Sequence, residues 1–363
     1  VEILKVLKRG AGILVLDEAT AVLTGQEILK LFRVLRKMRD DGCSIVFISH
    51  KLNEVMDLCD RVTVLRKGRL IETCNISDVT SYDLVEKMVG RKIDLSIDRP
   101  DPDPGKKVCL EVRNLFLKND QGYLKLKDMS FILNHGEILG IAGLAGSGQK
   151  ELCETIAGII PFEKGDVLVD GTSISGKSPR AIIQMGVSLG FIPEDRLGMG
   201  LVASMDIADN VLLKDYAFEP GFLLKTDKAR IKAQKIVDEL EIQTPGIFHP
   251  VRKLSGGNIQ KVILGREINM NPKLLITAYA VRGLDINSSY TIYGLLNEQK
   301  KKGVGILYIG EDLDVLLELC DRIMVMCAGE VTGIVDASNT TKEEIGRLMS
   351  GAGLENTERG IVI

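Results

Sequence analysis

The chain has 363 residues, a hydrophobic fraction of 45% and a formal net charge of −3, which suits about two domains of ~150 residues each. That mild charge argues against a nucleic-acid-binding surface as the main business, and no apolar run approaches the ~18 residues of a membrane-crossing helix. Three histidines exclude a histidine-rich metal site, and the seven cysteines (43, 59, 74, 109, 153, 320, 327) form no CxxC pair and read as reduced core thiols of a cytosolic protein.

In chain order, residues 1–12 read as a helix ending near Arg9-Gly10. Its amphipathic start, Val1-Glu2-Ile3-Leu4-Lys5, is no secretory signal, and the missing Met points to a fragment. Gly12-Ile13-Leu14-Val15-Leu16 is then a buried parallel strand closed by Asp17-Glu18, the Walker B pattern. Strands often end in acids. Where a phosphate is cleaved, however, Asp17 would hold Mg²⁺ through water and Glu18 would orient and polarise the attacking water. Gln26 to Asp40 is a helix with Ile28, Leu31, Leu35 and Met38 at helical spacing. Ser44-Ile45-Val46-Phe47-Ile48 is a second buried strand, ended by Ser49-His50. A lone histidine is more often a satisfied surface or core residue than a catalytic one. Helix 51–59, strand 61–66, Gly68 and strand 69–74 follow.

Pro100, Pro102 and Pro104 make the stretch from Ser96 to Gly105 an extended linker. Strands 108–116 and 124–132 precede the apolar strand Ile138 to Ala142, which runs into Gly143-Leu144-Ala145-Gly146-Ser147-Gly148-Gln149-Lys150. Strand, glycine loop and helix are the correct context for a phosphate loop. Phe191-Ile192-Pro193-Glu194-Asp195-Arg196 follows a β-like run, and alone it is a charged turn. Leu254-Ser255-Gly256-Gly257-Asn258 stands before the periodic Val262, Ile263, Leu264 and Ile268, a cap and glycine turn opening a helix. Such a terminus binds anions through its N–H groups and dipole, although a bare S-G-G is an ordinary helix start.

The two halves repeat. His50 and Glu311 lie 261 apart (311 − 50), and Leu58-Cys59-Asp60-Arg61 matches Leu319-Cys320-Asp321-Arg322 at the same offset. Gly68 matches Gly329, and Met88-Val89-Gly90 matches Met349-Ser350-Gly351. Two copies of one domain are therefore fused. Val1 corresponds to Val262, so the first copy begins after the place of its own phosphate loop and S-G-G turn. The expected layout is the C-terminal part of a first domain over 1–95, a linker over 96–107, a second domain over 108–351 and a tail over 352–363.

Together these motifs resemble the ATP-binding-cassette (ABC) ATPases. Leu254-Ser255-Gly256-Gly257-Asn258 stands for their LSGGQ signature, and Asp17-Glu18-Ala19-Thr20-Ala21-Val22-Leu23-Thr24 is very similar to the DEPTAVLT of nucleoside and simple-sugar importers, with Ala19 for Pro. The resemblance implies an α/β fold: tandem P-loop nucleotide-binding domains, each with a mainly parallel sheet flanked by helices and an antiparallel edge. It implies ATP and Mg²⁺ as ligands and His50 as the switch histidine that contacts the γ-phosphate. Each site would be composite, with Walker residues from one copy facing Ser255, Gly256, Gly257 and Asn258 of the other. Glu194, Asp195 and Arg196 match a PEDR element at the Gln-loop position, which contacts the membrane subunit. The implied partners are integral membrane permease subunits and, indirectly, an external substrate-binding protein, with no nucleic acid. The implied location is peripheral, on the cytoplasmic face of the membrane.

The second copy is damaged at each chemical position. The loop Gly143, Gly146, Ser147, Gly148 offers Gln149 and Lys150 where the motif demands Lys and Ser/Thr. A lysine one place late is rotated by ~100° around the helix. Ala278 replaces Asp17, Tyr279 replaces Glu18 and Glu311 replaces His50. One hydrolytic and one degenerate site are therefore expected, and the chain alone is expected to be inactive for want of the first phosphate loop. Arg282-Gly283-Leu284-Asp285 and Gly310-Glu311-Asp312-Leu313-Asp314 look closer to nucleoside-type importers, which share a degenerate second Walker B, and this resemblance leans toward nucleosides over sugars. Rival readings are a soluble tandem ATPase without a permease, disfavoured by the short, proline-rich, acid-containing linker, and a non-catalytic regulatory subunit, which leaves Asp17, Glu18 and His50 unexplained.

Overall fold

The computed structural model describes residues 12–20, 25–49, 51–66, 68–90, 97–101, 107–185, 187, 189–215 and 226–351. All but Gly12 of the helix expected over 1–12, His50, linker residues 96 and 102–106 and the tail over 352–363 lie outside the described residues. The chain divides into two compact units, Val1–Ser96 with Asp285–Asn287, and Ile97–Leu284 with Ser288–Ile363.

In the first unit, β1 (Ile13–Asp17) pairs in parallel with β2 (Ser44–Ile48), and Asp17 stands opposite Ile48. Helix α1 (Gly25–Asp40) buries Leu31, Phe32 and Leu35 with Leu14, Leu16 and Leu58. Both strands were expected to be buried, yet only alternate residues of β1 are. Leu14 and Leu16 are covered, while Ile13 and Val15 remain 68% and 61% exposed. Side chains alternate across a strand, and this cluster covers one face only. Helix α2 (Leu52–Leu58), the antiparallel pair β3 (Arg61–Arg66) and β4 (Arg69–Asn75), and α3 (Ser81–Val89) complete the unit. The side chains of Thr80 and Asp83 close a reciprocal capping box on α3.

The second unit is built on a six-stranded sheet. Its strands are β7 (Ile138–Gly143), β10 (Leu189–Ile192), β11 (Leu274–Ala278), β12 (Gly305–Ile309), β13 (Arg322–Cys327) and β14 (Glu330–Asp336). Their spatial order is β10-β11-β12-β7-β13-β14, all parallel except β14. Alternate residues face opposite cores. Leu275, Ile306 and Tyr308 join the cluster with Val262, Ile263, Ile292 and Leu296. These four belong to helices α8 (Gly256–Ile268) and α9 (Ile286–Lys301), which follow α5 (Pro179–Gln184), α6 (Ile207–Asp215) and α7 (Thr226–Glu239) in the chain. Leu274, Ile276, Leu307 and Ile309 join the other cluster. That face is covered by an antiparallel sheet of β5 (Val108–Lys118), β6 (Leu124–Asn134), β8 (Lys164–Val169) and β9 (Thr172–Ser173). Covered on both sides, β11 and β12 are buried throughout.

Charged staples fasten these layers. Lys300 Nζ lies 2.7 Å from Asp321 Oδ1, with side chains 1% and 7% exposed. The other Asp321 oxygen accepts the N–H of Ile138 at 2.9 Å, at the root of β7. Asp170 joins His135 and Lys273, both at 2.6 Å, tying the antiparallel sheet to the strand ends. All seven cysteines are free, and Cys109, Cys153 and Cys320 are buried.

Elements of the first unit recur in the second. β1, α1, β2, α2, β3 and β4 have the bounds of β11, α9, β12, α10 (Leu313–Leu319), β13 and β14 shifted by 261 residues (274 − 13).

Candidate nucleotide site

Glu18 leaves β1 in the left-handed backbone region, at φ 46°, and its N–H donates to the Ile48 carbonyl at 2.9 Å. A bulky residue persists there only when its surroundings hold it. Tyr279 does the same in the second unit, at φ 53°, with its N–H on Ile309 at 3.1 Å. The two corners share one backbone geometry and differ in side-chain chemistry. Asp17 and Glu18 are exposed carboxylates, whereas Ala278 is 2% exposed and has no ligand atom. Burial pushes the Tyr279 hydroxyl up to about 12, helped by the charges of Glu311 and Glu194. It stays protonated at neutral pH and cannot act as a base.

Around Tyr279 the corner is occupied by its own charges. The Arg282 guanidinium lies 5.8 Å from the ring centroid. It also bonds Glu194 at 2.5 Å and Glu311 at 3.3 Å. Glu311, at the place in the repeat where the first copy has His50, thus serves an arginine.

The glycine loop turns into helix α4 (Gln149–Ile156), with Gly148 at φ 100° as its cap. A Cβ there would meet Leu126 Cδ2 and the Lys125 carbonyl at 2.9 Å, so glycine is required. Gln149 is 3% exposed and donates through Nε2 to the Leu144 carbonyl at 3.2 Å. It is folded into the loop, where a lysine would reach for phosphate. The Lys150 side chain is 53% exposed, with Glu154 at 3.9 Å. Of the residues expected here, Gly143, Gly146, Ser147, Gly148, Gln149 and Lys150 do form one loop and helix start. Its backbone N–H groups suit an anion, and its side chains do not suit Mg²⁺.

Ser255 caps α8 at φ −66°, ψ 157°, and its Oγ accepts from the Asn258 N–H at 3.4 Å and from Asn258 Nδ2 at 2.9 Å. This is the capped glycine turn expected at the signature position, and it opens a 13-residue helix. Gly256 leaves room beside an arginine: a Cβ there would lie 3.1 Å from Arg196 Nη1.

That arginine belongs to the segment Glu194-Asp195-Arg196, which follows β10 and enters a π-helical turn over Arg196–Gly200. All three side chains are used inside the unit. Glu194 holds Arg282, and Asp195 Oδ1 caps the turn by accepting from the Gly198 N–H at 2.8 Å. Arg196 Nε donates to Gln260 Oε1 at 2.9 Å, and its Nη2 donates to the Arg282 carbonyl. A cleft of about 400 Å³ lies against this segment, lined by Glu194 to Leu197, Ile259 and Arg282. Sequence reasoning gave neither Arg282 nor Gln260 a role in this site. The signal for Arg282 was a charge at the position where the first copy has Ala21.

A family model described as ABC transporter matches residues 126–277. The nucleoside import ATP-binding protein NupA of Lactococcus lactis subsp. cremoris is 39% identical over 358 residues, 98% of this chain and 70% of that protein. The glucose import ATP-binding protein TsgD13 of Haloferax volcanii is 40% identical over 361 residues, 97% of this chain and 64% of that protein. The guanosine import ATP-binding protein NupO of Bacillus subtilis is 39% identical over 355 residues, 97% of this chain and 69% of that protein. Among solved structures, a nucleotide-free ATP-binding cassette from an ABC transporter aligns with TM-score 0.55 at 23% identity, over 70% of this chain and all (100%) of that one. A dimeric cassette bound to ADP and Pi aligns with TM-score 0.57 at 20% identity, over 64% of this chain and 100% of that one. Among the described residues, no helix is long and apolar enough to cross a membrane.

Proposed function

We propose that this chain, which belongs to the ATP-binding proteins of ABC transporters for sugar and nucleoside import, powers such an importer through one hydrolytic site and one degenerate site. The observation that carries the reading is the pair of matched corners: the same left-handed turn presents Glu18 in one copy and a protonated Tyr279 in the other.

At the competent site Glu18 orients the attacking water and accepts its developing proton. His50 contacts the γ-phosphate. Ser255, Asn258 and the N–H groups of Gly256 and Gly257 cap that phosphate from the facing copy, where the helix terminus stabilises the charge that builds in the transition state. The exposed carboxylate of Asp17 suits Mg²⁺, held through water, and the ion when bound neutralises phosphate oxygens. The degenerate site keeps the backbone cradle of Gly143 to Lys150, so it retains nucleotide without cleaving it. The segment Glu194-Asp195-Arg196 couples the second copy to the permease. The protein works on the cytoplasmic face of the membrane, with an external binding protein as an indirect partner and no nucleic acid. The altered second Walker B favours nucleosides over sugars as cargo.

The test is reconstitution of the full-length protein with its permease in vesicles, followed by ATP-dependent uptake of labelled nucleosides and labelled simple sugars. Uptake of a nucleoside with matching phosphate release is expected. Phosphate release that no nucleoside or sugar stimulates, with no uptake, would rule out the importer reading.

A further inference from the structure

We propose that Glu54, paired with Thr20, is a positioning residue for hydrolysis. It locks together the two segments that leave β1 and β2 beside Glu18. The proposal rests on the assignment of Glu18 given above.

Glu54 lies on α2 and is 8% exposed, and Thr20 is 1% exposed. Thr20 Oγ1 donates to Glu54 Oε2 at 2.6 Å. Ser49 Oγ donates to the same oxygen at 3.4 Å, and Lys51 Nζ lies 3.3 Å from Oε1. The Lys51 N–H in turn donates to Ser49 Oγ at 3.1 Å. Thr20 stands two residues after Glu18. Ser49 follows Ile48, whose carbonyl holds the Glu18 N–H. Ser49 and Lys51 also flank His50 in the chain. One buried carboxylate therefore spans the segment carrying the water-orienting acid and the segment carrying the switch histidine.

Burying a carboxylate is unfavourable unless it is fully hydrogen-bonded, and an apolar pair fills such a site at lower cost. The second copy takes the apolar course. At the offset of 261 (281 − 20 and 315 − 54) it has Val281 and Val315, both packed against the core. Its corner nevertheless has the same turn, with Tyr279 at φ 53° on the Ile309 carbonyl. Folding of the corner thus does not require the polar pair. The copy with Asp17 and Glu18 has the pair, and the copy with Ala278 and Tyr279 does not. Chemistry supplies the missing reason. Catalytic groups must keep their spacing while phosphate charge develops, and a small misplacement costs rate. The Thr20–Glu54 bond keeps the two segments from separating under that load.

The test transplants the second copy's own pair. In the full-length protein with its permease, Thr20→Val/Glu54→Val should melt within a few degrees of wild type, since the second copy folds with that pair. Its kcat for phosphate release should fall by about tenfold or more, with KM for ATP nearly unchanged. Thr20→Ser, which keeps the hydroxyl, should retain the wild-type kcat. If the double variant loses its melting transition, Thr20→Ser against Thr20→Ala decides: equal kcat in the two overturns the proposal, and a loss confined to Ala supports it. A folded double variant with wild-type kcat also overturns it. Glu18→Gln is measured alongside. If that variant keeps its turnover, the assignment of Glu18 has failed, a result distinct from a silent Thr20/Glu54 pair.

Discussion

The Arg196 guanidinium is bonded inside its own unit, so replacing it should cost stability before any partner is added. In Arg196→Ala, Gln260 Oε1 loses the donor it holds at 2.9 Å, and the Arg282 carbonyl loses the second prong. Gln260 is 1% exposed, and its Nε2 already has no hydrogen-bond partner among the described residues. A bond to a charged group contributes about 1.5–3 kcal/mol, and an orphaned buried acceptor costs about 1–3 kcal/mol. Arg196 is only half buried and adjoins a cleft of about 400 Å³, so water recovers part of the loss. The net expectation is about 2–4 kcal/mol. At about 2–4 °C per kcal/mol for a domain of this size, Tm falls by roughly 5–15 °C. Arg196→Lys keeps the charge but reaches a single acceptor, and should fall about half as far. Calorimetric melting of the three proteins is the assay. An Arg196→Ala protein melting with wild type would mean that the side chain faces solvent, and the inward clamp on α8 would be wrong.

Lys300→Met leaves the Asp321 carboxylate buried without its cation, so it should cost about 3–5 kcal/mol. The loss is checked by urea unfolding, and a change below about 1 kcal/mol would contradict the pairing. Burial raises the Asp170 pKa, but the bonds and charges of Lys273 and His135 outweigh it and hold the carboxyl below its ordinary value. Its folded pKa is lowered, so its stabilisation is present above the ordinary carboxylate range and lost as pH falls through that range and below it. Asp170→Asn should therefore flatten the acid limb of Tm against pH. An unchanged acid limb would show that the staple carries no charge coupling.

Much of the site was legible because its chemistry is local in the chain. A strand ending in Asp17-Glu18, a glycine loop at Gly143 to Gly148 and a Ser255 cap each need a few adjacent residues, and each forms where spacing put it. The departures from the motif at Gln149, Ala278 and Tyr279 were legible for the same reason. What spacing does not reveal is which side chain reaches across the fold. Thr20 and Glu54 are 34 apart, and Arg196 and Gln260 are 64 apart. Nothing local in either member marks the other. The repeat did hold a usable signal, since a polar pair at 20 and 54 faces a valine pair at 281 and 315. Reading β1 as a buried strand overstated its burial, because an apolar run does not tell how many faces its neighbours cover.

The asymmetry of the two sites is tested most directly by steady-state phosphate release from the full-length protein with its permease, comparing Glu18→Gln with Tyr279→Ala. The water-orienting acid contributes orders of magnitude to rate, so Glu18→Gln should abolish turnover. Tyr279→Ala should leave it nearly unchanged, because that corner already lacks a base and a metal ligand. Equal losses from the two substitutions would mean that both sites hydrolyse ATP, and the account of one working site would be wrong.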